Sequence, residues 1–397
     1  MCRAVHSRSY KYIKIDGPYY CLEQNPALLA WFLYFRNKSL RLRSLRLSRR
    51  QGINAVKTLV QHQLKLRNSG SGVELPVYGN LCLPVHRGYR AFDFRRRAVI
   101  RTFSPEVDTA VVGQEIEAVR NASRLDFAPA VRRWSAEERW YEEDFVIGYR
   151  ARLIPESEPG AVLRIYRQDV EPCLERMILL QAPLKVGRSE YVRRVLNRIM
   201  EAIENDRSPG QEVDTRKADT VRQFVDSVAE QLRLRKPPLS PPREQGGTHS
   251  SISWSVLRDV SPPGVDLVFS HGDFSLRNML VTKEGIRVID WESAGRRSVL
   301  FDLYNYFFTE SYYGRIATNL VSEISEAISS LQSRIRSKAP DIAENLSSLT
   351  PMYRRLYYLE RILVMLEREM SDDLLDVILR SIQVFKRYEE ALTGTCG

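Results

Sequence analysis

Paired cysteines are missing from this 397-residue chain. The five it holds, Cys2, Cys21, Cys82, Cys173 and Cys396, are odd in number and scattered, with no C-x-x-C and no Cys/His spacing of a zinc site. That argues against a disulfide framework or structural zinc and for a reducing compartment. The five histidines form no cluster either. Long apolar runs are also missing. The stretch ALLAWFLYF, residues 27–35, would span about 14 Å as a helix, roughly half of a bilayer core. It has no small-residue cleavage site after it, so no secretory signal is read and a cytoplasmic location is expected.

Acidic residues are absent between Glu23 and Glu74, while the same stretch holds Arg36, Lys38, Arg41, Arg43, Arg46, Arg49, Arg50, Lys57, Lys65 and Arg67. Residues 1–72 therefore read as a basic N-terminal extension that ends in the joint NSGSG. Its segment AVKTLVQHQLKLR has the spacing of an amphipathic helix. Two readings stand: a helix lying on anionic lipid with residues 27–35 as its wedge, at the inner face of the membrane, or a helix packed on the body with its arginines in water. The second is the simpler. No nucleic-acid recognition motif accompanies the charge, so no nucleic acid is expected. The formal net charge of +11 favours an anionic partner or substrate over a cationic one.

What the chain does have is an ordinary globular composition, 43% hydrophobic and 27% charged. From Val73 the runs ELPVYGNLCLPV, GYRAFDF and RAVIRTF predict strands; residues 106–123 predict a helix; APAVRRW and RWYEEDFVIG predict two more strands. Residues 73–148 thus read as a mainly antiparallel sheet with one helix. Residues 149–397 read as mostly helical, interrupted by a Pro/Gly/Ser-rich loop at 236–251. The helix at 351–367 carries Tyr353, Tyr357 and Tyr358, a stripe that reads as core packing.

The chemistry concentrates in HGDFSLRNMLVTKEGIRVIDWE, residues 271–292. Met279–Thr282 and Ile286–Ile289 are good strands, and Lys283-Glu284-Gly285 suits a hairpin turn in which Gly285 takes a positive φ. Paired antiparallel, the strands carry Asn278 and Asp290 to one edge, with Asp273 on the loop leading in. Oxygen ligands of this kind suit Mg²⁺ held jointly with substrate phosphates. The remaining aspartate is free to accept a proton from an attacking hydroxyl, which completes the parts of phosphoryl transfer.

The spacing His271-x-Asp273, Asn278 and then Asp290 resembles the protein-kinase signature, with Gly272 in place of its arginine, Asp290-Trp291-Glu292 in place of D-F-G, and no A-P-E. HGD-x-x-x-x-N followed by IDWE resembles instead the aminoglycoside phosphotransferase and choline kinase family, the small-molecule branch of the kinase-like fold. The likeness runs from about residue 73 to 310. It implies an α+β, two-lobed protein-kinase-like fold whose helical lobe carries the catalytic hairpin. It implies Asp273 as catalytic base, Asn278, Asp290 and Glu292 as Mg²⁺ ligands, and His271 and Asp302 as structural supports of the loop. It implies Arg101, at the end of Ala98-Val99-Ile100-Arg101, as the grip on the phosphates of ATP or GTP, held by Glu115 or by Glu117. Glu143 and Phe145, in the strand and hinge 142–148, would meet the nucleotide. The expected reaction moves the γ-phosphoryl group to a hydroxyl of a small molecule, a sugar, an amino-alcohol or a lipid-linked glycan, with the net charge favouring an anionic or sugar-like acceptor over a polycationic one. Arginine replaces the usual lysine at 101, and the loop from Tyr78 to Tyr89 is poor in glycine. Those departures motivate the alternative of a pseudokinase acting as a regulatory or scaffold module.

Overall fold

The computed structural model describes residues 9–16, 19–22, 72–150, 160–205, 215–233, 264–316, 320–367 and 372–394. The basic stretch from Arg36 to Arg67, the apolar run 27–35 and the loop 236–251 lie outside the described residues. Among the described residues no helix is long and apolar enough to cross a membrane. By packing, the chain falls into two compact units. One joins Met1–Ile154 to Met279–Glu292, and the other joins Pro155–Asn278 to Ser293–Gly397.

The first unit is built on one sheet. Its strands are β1 (Tyr10–Asp16), β2 (Tyr19–Leu22), β3 (Gly72–Leu75), β4 (Leu81–Val85), β5 (Gly88–Asp93), β6 (Ala98–Phe103), β7 (Val131–Ser135) and β8 (Trp140–Asp144). They lie in the order β3-β1-β2-β4-β5-β6-β8-β7, and neighbours run antiparallel. Strands β1 and β2 come from within the stretch that reads as an extension, and the sheet takes them in. Their signal is the alternation in YKYIKID: Tyr12 is fully buried and its hydroxyl donates to the Val77 carbonyl at 2.8 Å. Helix α1 (Thr109–Ala122) follows β6. Asp108 caps it by accepting the Ala110 N–H at 2.8 Å, and Val112, Ile116 and Val119 recur at helical spacing and are buried.

The hairpin also packs in this unit. Met279–Thr282 pairs antiparallel with Gly285–Val288 in the register Met279↔Val288, and Gly285 turns the corner at φ +113°. Tyr149–Arg150 pairs with its outer edge. On its other side the Val288 N–H donates to the Phe127 carbonyl at 2.7 Å.

The second unit is mostly helical. It contains α2 (Glu171–Leu179), α3 (Arg188–Asn205), α4 (Thr215–Arg233), α5 (Phe301–Tyr312), α6 (Leu320–Ile335), α7 (Pro340–Leu366) and α8 (Asp372–Thr393). A short sheet of Leu184–Val186, Val265–Ser270 and Gly295–Ser298 holds the strand that leads into His271. The tyrosines at 353, 357 and 358 are core, each no more than 2% exposed. Tyr358 stacks on Phe385 with centroids 4.5 Å apart, and Tyr353 donates to Asp266 at 2.9 Å.

Glu360 on α7 is the polar tie of this core. Its carboxylate accepts the Ser298 N–H at 2.8 Å and the hydroxyls of Ser298 and Tyr191 at 2.5 Å each. Burial raises its pKa, against the pull of those donors. Glu360→Ala would leave three buried donors unanswered, a loss of about 3 kcal/mol or more. Urea denaturation checks this; a midpoint equal to wild type would contradict it.

Candidate active site

In the second unit the loop after Ser270 is held from one side of α5. Asp302, in the first turn of that helix, accepts the His271 N–H on Oδ2 at 2.8 Å and the Gly272 N–H on Oδ1 at 3.1 Å. Burial raises the Asp302 pKa, with His271 and Arg297 pulling the other way. Asn305 donates to the Phe274 carbonyl at 2.9 Å, and Glu310 accepts the Leu276 N–H at 3.2 Å. His271 is fully buried, packs edge-on against Phe274, and accepts the Asp273 N–H on Nδ1 at 3.1 Å. Its place is internal to the loop. The helical spacing of 302, 305 and 310 is the signal by which Asn305 and Glu310 could have been found, since it puts all three on one side of α5.

The loop presents Asp273. Its Oδ1 accepts from Arg361 of α7 at 3.2 Å, and its Oδ2 faces the Asn278 side-chain amide at 3.3 Å. Asn278 Nδ2 also donates to the Asp273 carbonyl at 2.9 Å, so Oδ1 is the amide atom left to face an ion. Asp273 lines a pocket of about 170 Å³ within the second unit. Its walls include Phe308, Tyr357 and Phe385, and its charged members are Asp273, Arg277 and Arg361. Among the described lining residues Asp273 is the one carboxylate. Arg277 is donor to the Tyr313 hydroxyl and lies 5.2 Å from the centroid of that ring. Neither Arg277 nor Arg361 stands out in the sequence, where each reads as an ordinary surface arginine.

Gly272 explains the departure from the kinase signature. It adopts φ +84°, and a Cβ there would lie 2.2 Å from the Ser293 carbonyl oxygen. No side chain fits between the loop and Ser293.

In the first unit the remaining residues gather on one face of the sheet. Arg101 on β6 lies opposite Arg90 on β5 and opposite Tyr141 on β8. Cross-strand partners share a face. Arg101 is 1% exposed. Its Nε reaches Glu115 Oε1 at 3.4 Å, as the expected strand–helix pairing requires, and its Nη1 donates to the Thr102 carbonyl at 3.0 Å. Its Nη2 donates to the His86 carbonyl, and the Phe103 ring lies 4.5 Å beneath the guanidinium. Arg90, which no sequence motif marks, reaches Asp290 Oδ1 at 2.8 Å and Glu292 Oε2 at 3.3 Å. Asp290 sits at φ +73°, a left-handed conformation that aspartate tolerates better than most residues. Two arginines directly opposite on one face repel, so the pair itself signals surrounding carboxylates.

Glu143 faces this cluster from β8, whereas its neighbour Glu142 points the other way to Arg96 and Arg133. Burial pushes Glu143 up to about 7; Arg90 opposes the shift, while Asp290, Glu115 and Glu292 add to it. Burial likewise lifts Glu115 to about 7, opposed by Arg101 and reinforced by Glu292. Phe145 packs on Phe92 and Phe94, and its N–H already donates to the Arg97 carbonyl at 3.0 Å. An adenine contact in 142–146 would therefore have to use other backbone groups.

Asp290 and Glu292 in the first unit, and separately the Asn278 amide oxygen in the second, are hard oxygen groups of the kind that suit a divalent cation of the Mg²⁺ class. Among the described residues no three His, Cys, Asp or Glu side chains are grouped so that they could hold a metal ion by themselves. A Mg²⁺ site that draws its other ligands from phosphates and water needs no such group.

A family model described as the phosphotransferase enzyme family (APH) matches residues 86–327, more than half of the chain. The chain belongs to this family. The α+β fold expected from sequence, an antiparallel sheet with one helix followed by a mostly helical region, is the one observed. Similar solved structures include choline kinase LicA from Streptococcus pneumoniae, at 13% identity over 77% of this chain and 94% of that one, with a TM-score of 0.41. A choline kinase from Cryptosporidium parvum Iowa II is 15% identical over 81% and 90%, with a TM-score of 0.45. An ethanolamine kinase from Plasmodium vivax is 13% identical over 91% and 94%, with a TM-score of 0.44. No curated protein matches in sequence.

Two outcomes are expected. Gly272→Ala should lower stability by about 2 kcal/mol or more, because the loop must move off Ser293 and leave the positive φ. Thermal melting of that variant beside wild type measures it. The second concerns pH. Folded Glu115 and Glu143 hold their protons up to about 7, above the ordinary carboxylate value of 4.5. The native state then binds more protons than the unfolded chain between those limits, so their contribution to stability falls as pH rises through that window. Glu143→Gln should therefore gain on wild type by an amount on the order of 1–3 kcal/mol as pH rises through it. Melting curves across that range test the sign; a gain that grows toward acid pH contradicts it.

Proposed function

We propose that the chain transfers the γ-phosphoryl group of ATP or GTP to a hydroxyl of a small molecule, with Mg²⁺. The observation that carries this reading is Asp273: a carboxylate on a helix-braced loop, at the wall of a pocket, in a chain of the phosphotransferase enzyme family.

In this reading Asp273 orients the acceptor hydroxyl and takes its proton as the oxygen attacks the γ-phosphorus. The bond from that phosphorus to the β–γ bridging oxygen breaks, and the nucleoside diphosphate leaves. Asn278 and Asp290, with Glu292 beside the latter, would hold Mg²⁺, which when bound would supply the charge that offsets the phosphates. Arg101 and Glu115 order the strand–helix pair that faces the nucleotide, and Glu143 and Phe145 border the base-binding segment. His271 and Asp302 keep the loop in shape.

The pocket supports an anionic or sugar-like acceptor. Arg277 and Arg361 stand where a cationic acceptor would need carboxylates, and aromatic walls suit a ring or apolar body. This departs from the choline and ethanolamine named for the similar structures. The pseudokinase reading keeps one supporting observation, the Arg90 guanidinium seated on the carboxylates of Asp290 and Glu292.

Titration calorimetry with Mg²⁺–ATP and Mg²⁺–GTP separates the two. Wild type should bind at least one nucleotide in a Mg²⁺-dependent way, and Asp290→Ala should abolish that dependence. Asp273→Asn should keep nucleotide binding while transfer to a panel of hydroxyl acceptors falls about 10²–10⁴-fold. Nucleotide binding without transfer to any acceptor by wild type would favour the scaffold; no binding at all would overturn the reading.

A further inference from the structure

We infer that Arg90, and not Arg101, is the arginine that grips the nucleotide phosphates. This assignment rests on the nucleotide-dependent reading above and deepens it with a residue to which neither the family resemblance nor any motif points.

Arg101 is fully engaged. Its three nitrogens meet Glu115 and the carbonyls of Thr102 and His86, and Phe103 closes one face of the guanidinium. The turn between β4 and β5 lies directly on it: a Cβ at Gly88 would come 3.0 Å from Arg101 Nη1 and 2.1 Å from the Thr102 carbonyl oxygen. Arg101 is thus a strut beneath that turn. Carrying its guanidinium to a phosphate would strip the buried Thr102 carbonyl and the part-buried His86 carbonyl of their donors.

Arg90 is placed differently. It stands across from Arg101 on the same face, and its bonds to Asp290 and Glu292, at 2.8 and 3.3 Å, both come from one nitrogen, Nη2. Its buried Nε has no hydrogen-bond partner among the described residues. Arg90 is a guanidinium seated on the carboxylates proposed to take Mg²⁺, with an N–H still able to donate. With Mg²⁺–nucleotide bound, Asp290 and Glu292 would turn to the metal, and Arg90 would exchange its carboxylate bonds for phosphate oxygens. The planar fork suits that acceptor. No bond is made or broken covalently, and the positive charge stays on Arg90 throughout. The β6 position thereby keeps its structural pairing with Glu115 while the phosphate contact moves one strand over.

The test compares Mg²⁺–ATP with adenosine by titration calorimetry on wild type, Arg90→Gln, Arg90→Lys and Arg101→Gln, with thermal melting of each nucleotide-free protein as the check on folding. In Arg90→Gln the affinity for Mg²⁺–ATP should fall about tenfold or more with adenosine affinity unchanged. Arg90→Lys preserves the charge among the carboxylates, so it should melt close to wild type yet lose part of the ATP preference. Arg101→Gln should melt lower while keeping the ratio of ATP to adenosine affinity. An unchanged or increased ATP preference in both Arg90 variants would overturn the inference, because Arg90 would then only compete with the metal. So would a collapse of that preference in folded Arg101→Gln. Wild type that binds no nucleotide overturns the parent reading instead, and this inference with it.

Discussion

The carboxylate of Asp302 accepts the N–H groups of His271 and Gly272 at once. The chain there leaves a buried strand and cannot continue a ladder, so its amides need acceptors inside the protein. Asp302 provides both from the first turn of a helix, and Asn305 and Glu310 extend the same grip to Phe274 and Leu276. With the backbone so held, Asp273 has little choice of position. The substitution of glycine for arginine at 272 belongs to the same constraint, because the tightened loop runs against the Ser293 carbonyl.

The two units use charge in different ways. In the second, Asp302 accepts the loop amides, Glu360 the Ser298 and Tyr191 groups, and Asp266, through Oδ2, the Tyr353 and Asn345 side chains. These are structural ties, and their partners are short side chains, tyrosine hydroxyls or backbone. In the first, Glu115, Glu143, Asp290 and Glu292 crowd around two arginines. Like charges in one buried place are unfavourable without a compensating ion.

Much of this was legible in the sequence. The period of two in GYRAFDF and RAVIRTF, the helix that follows, and the strand–turn–strand of 279–288 with glycine at its corner all come from patterns that local geometry dictates. The motif spacing carried Asp273, Asn278 and Asp290, and the observed loop and hairpin agree with the local structure expected of them. Arg90 was not legible, because an arginine at an alternating strand position reads as solvent-facing until the register with Arg101 is known. The engagement of Arg101 with the His86 carbonyl depends on a turn conformation that no residue type announces. Arg361 lies on a helix distant in sequence from Asp273, and only tertiary packing brings it there. Strands β1 and β2 were hidden by the basic segment after them, whose composition dominated the reading of the whole N-terminal stretch.

The hairpin Met279–Glu292 packs with the first unit although the chain on both sides of it belongs to the second. The first unit is therefore discontinuous, and its contacts span a separation on the order of a hundred residues or more. During synthesis from the N-terminus, the sheet emerges long before the strands that complete its unit. Until residue 292 has been made, Arg90 lacks the carboxylates of Asp290 and Glu292, and the Phe127 carbonyl lacks the Val288 N–H. Contacts of such long range delay closure and favour folding that finishes only when most of the chain is present. A fragment cut at residue 154 would retain Glu115 and Glu143 but lack Asp290 and Glu292, the two carboxylates that hold Arg90.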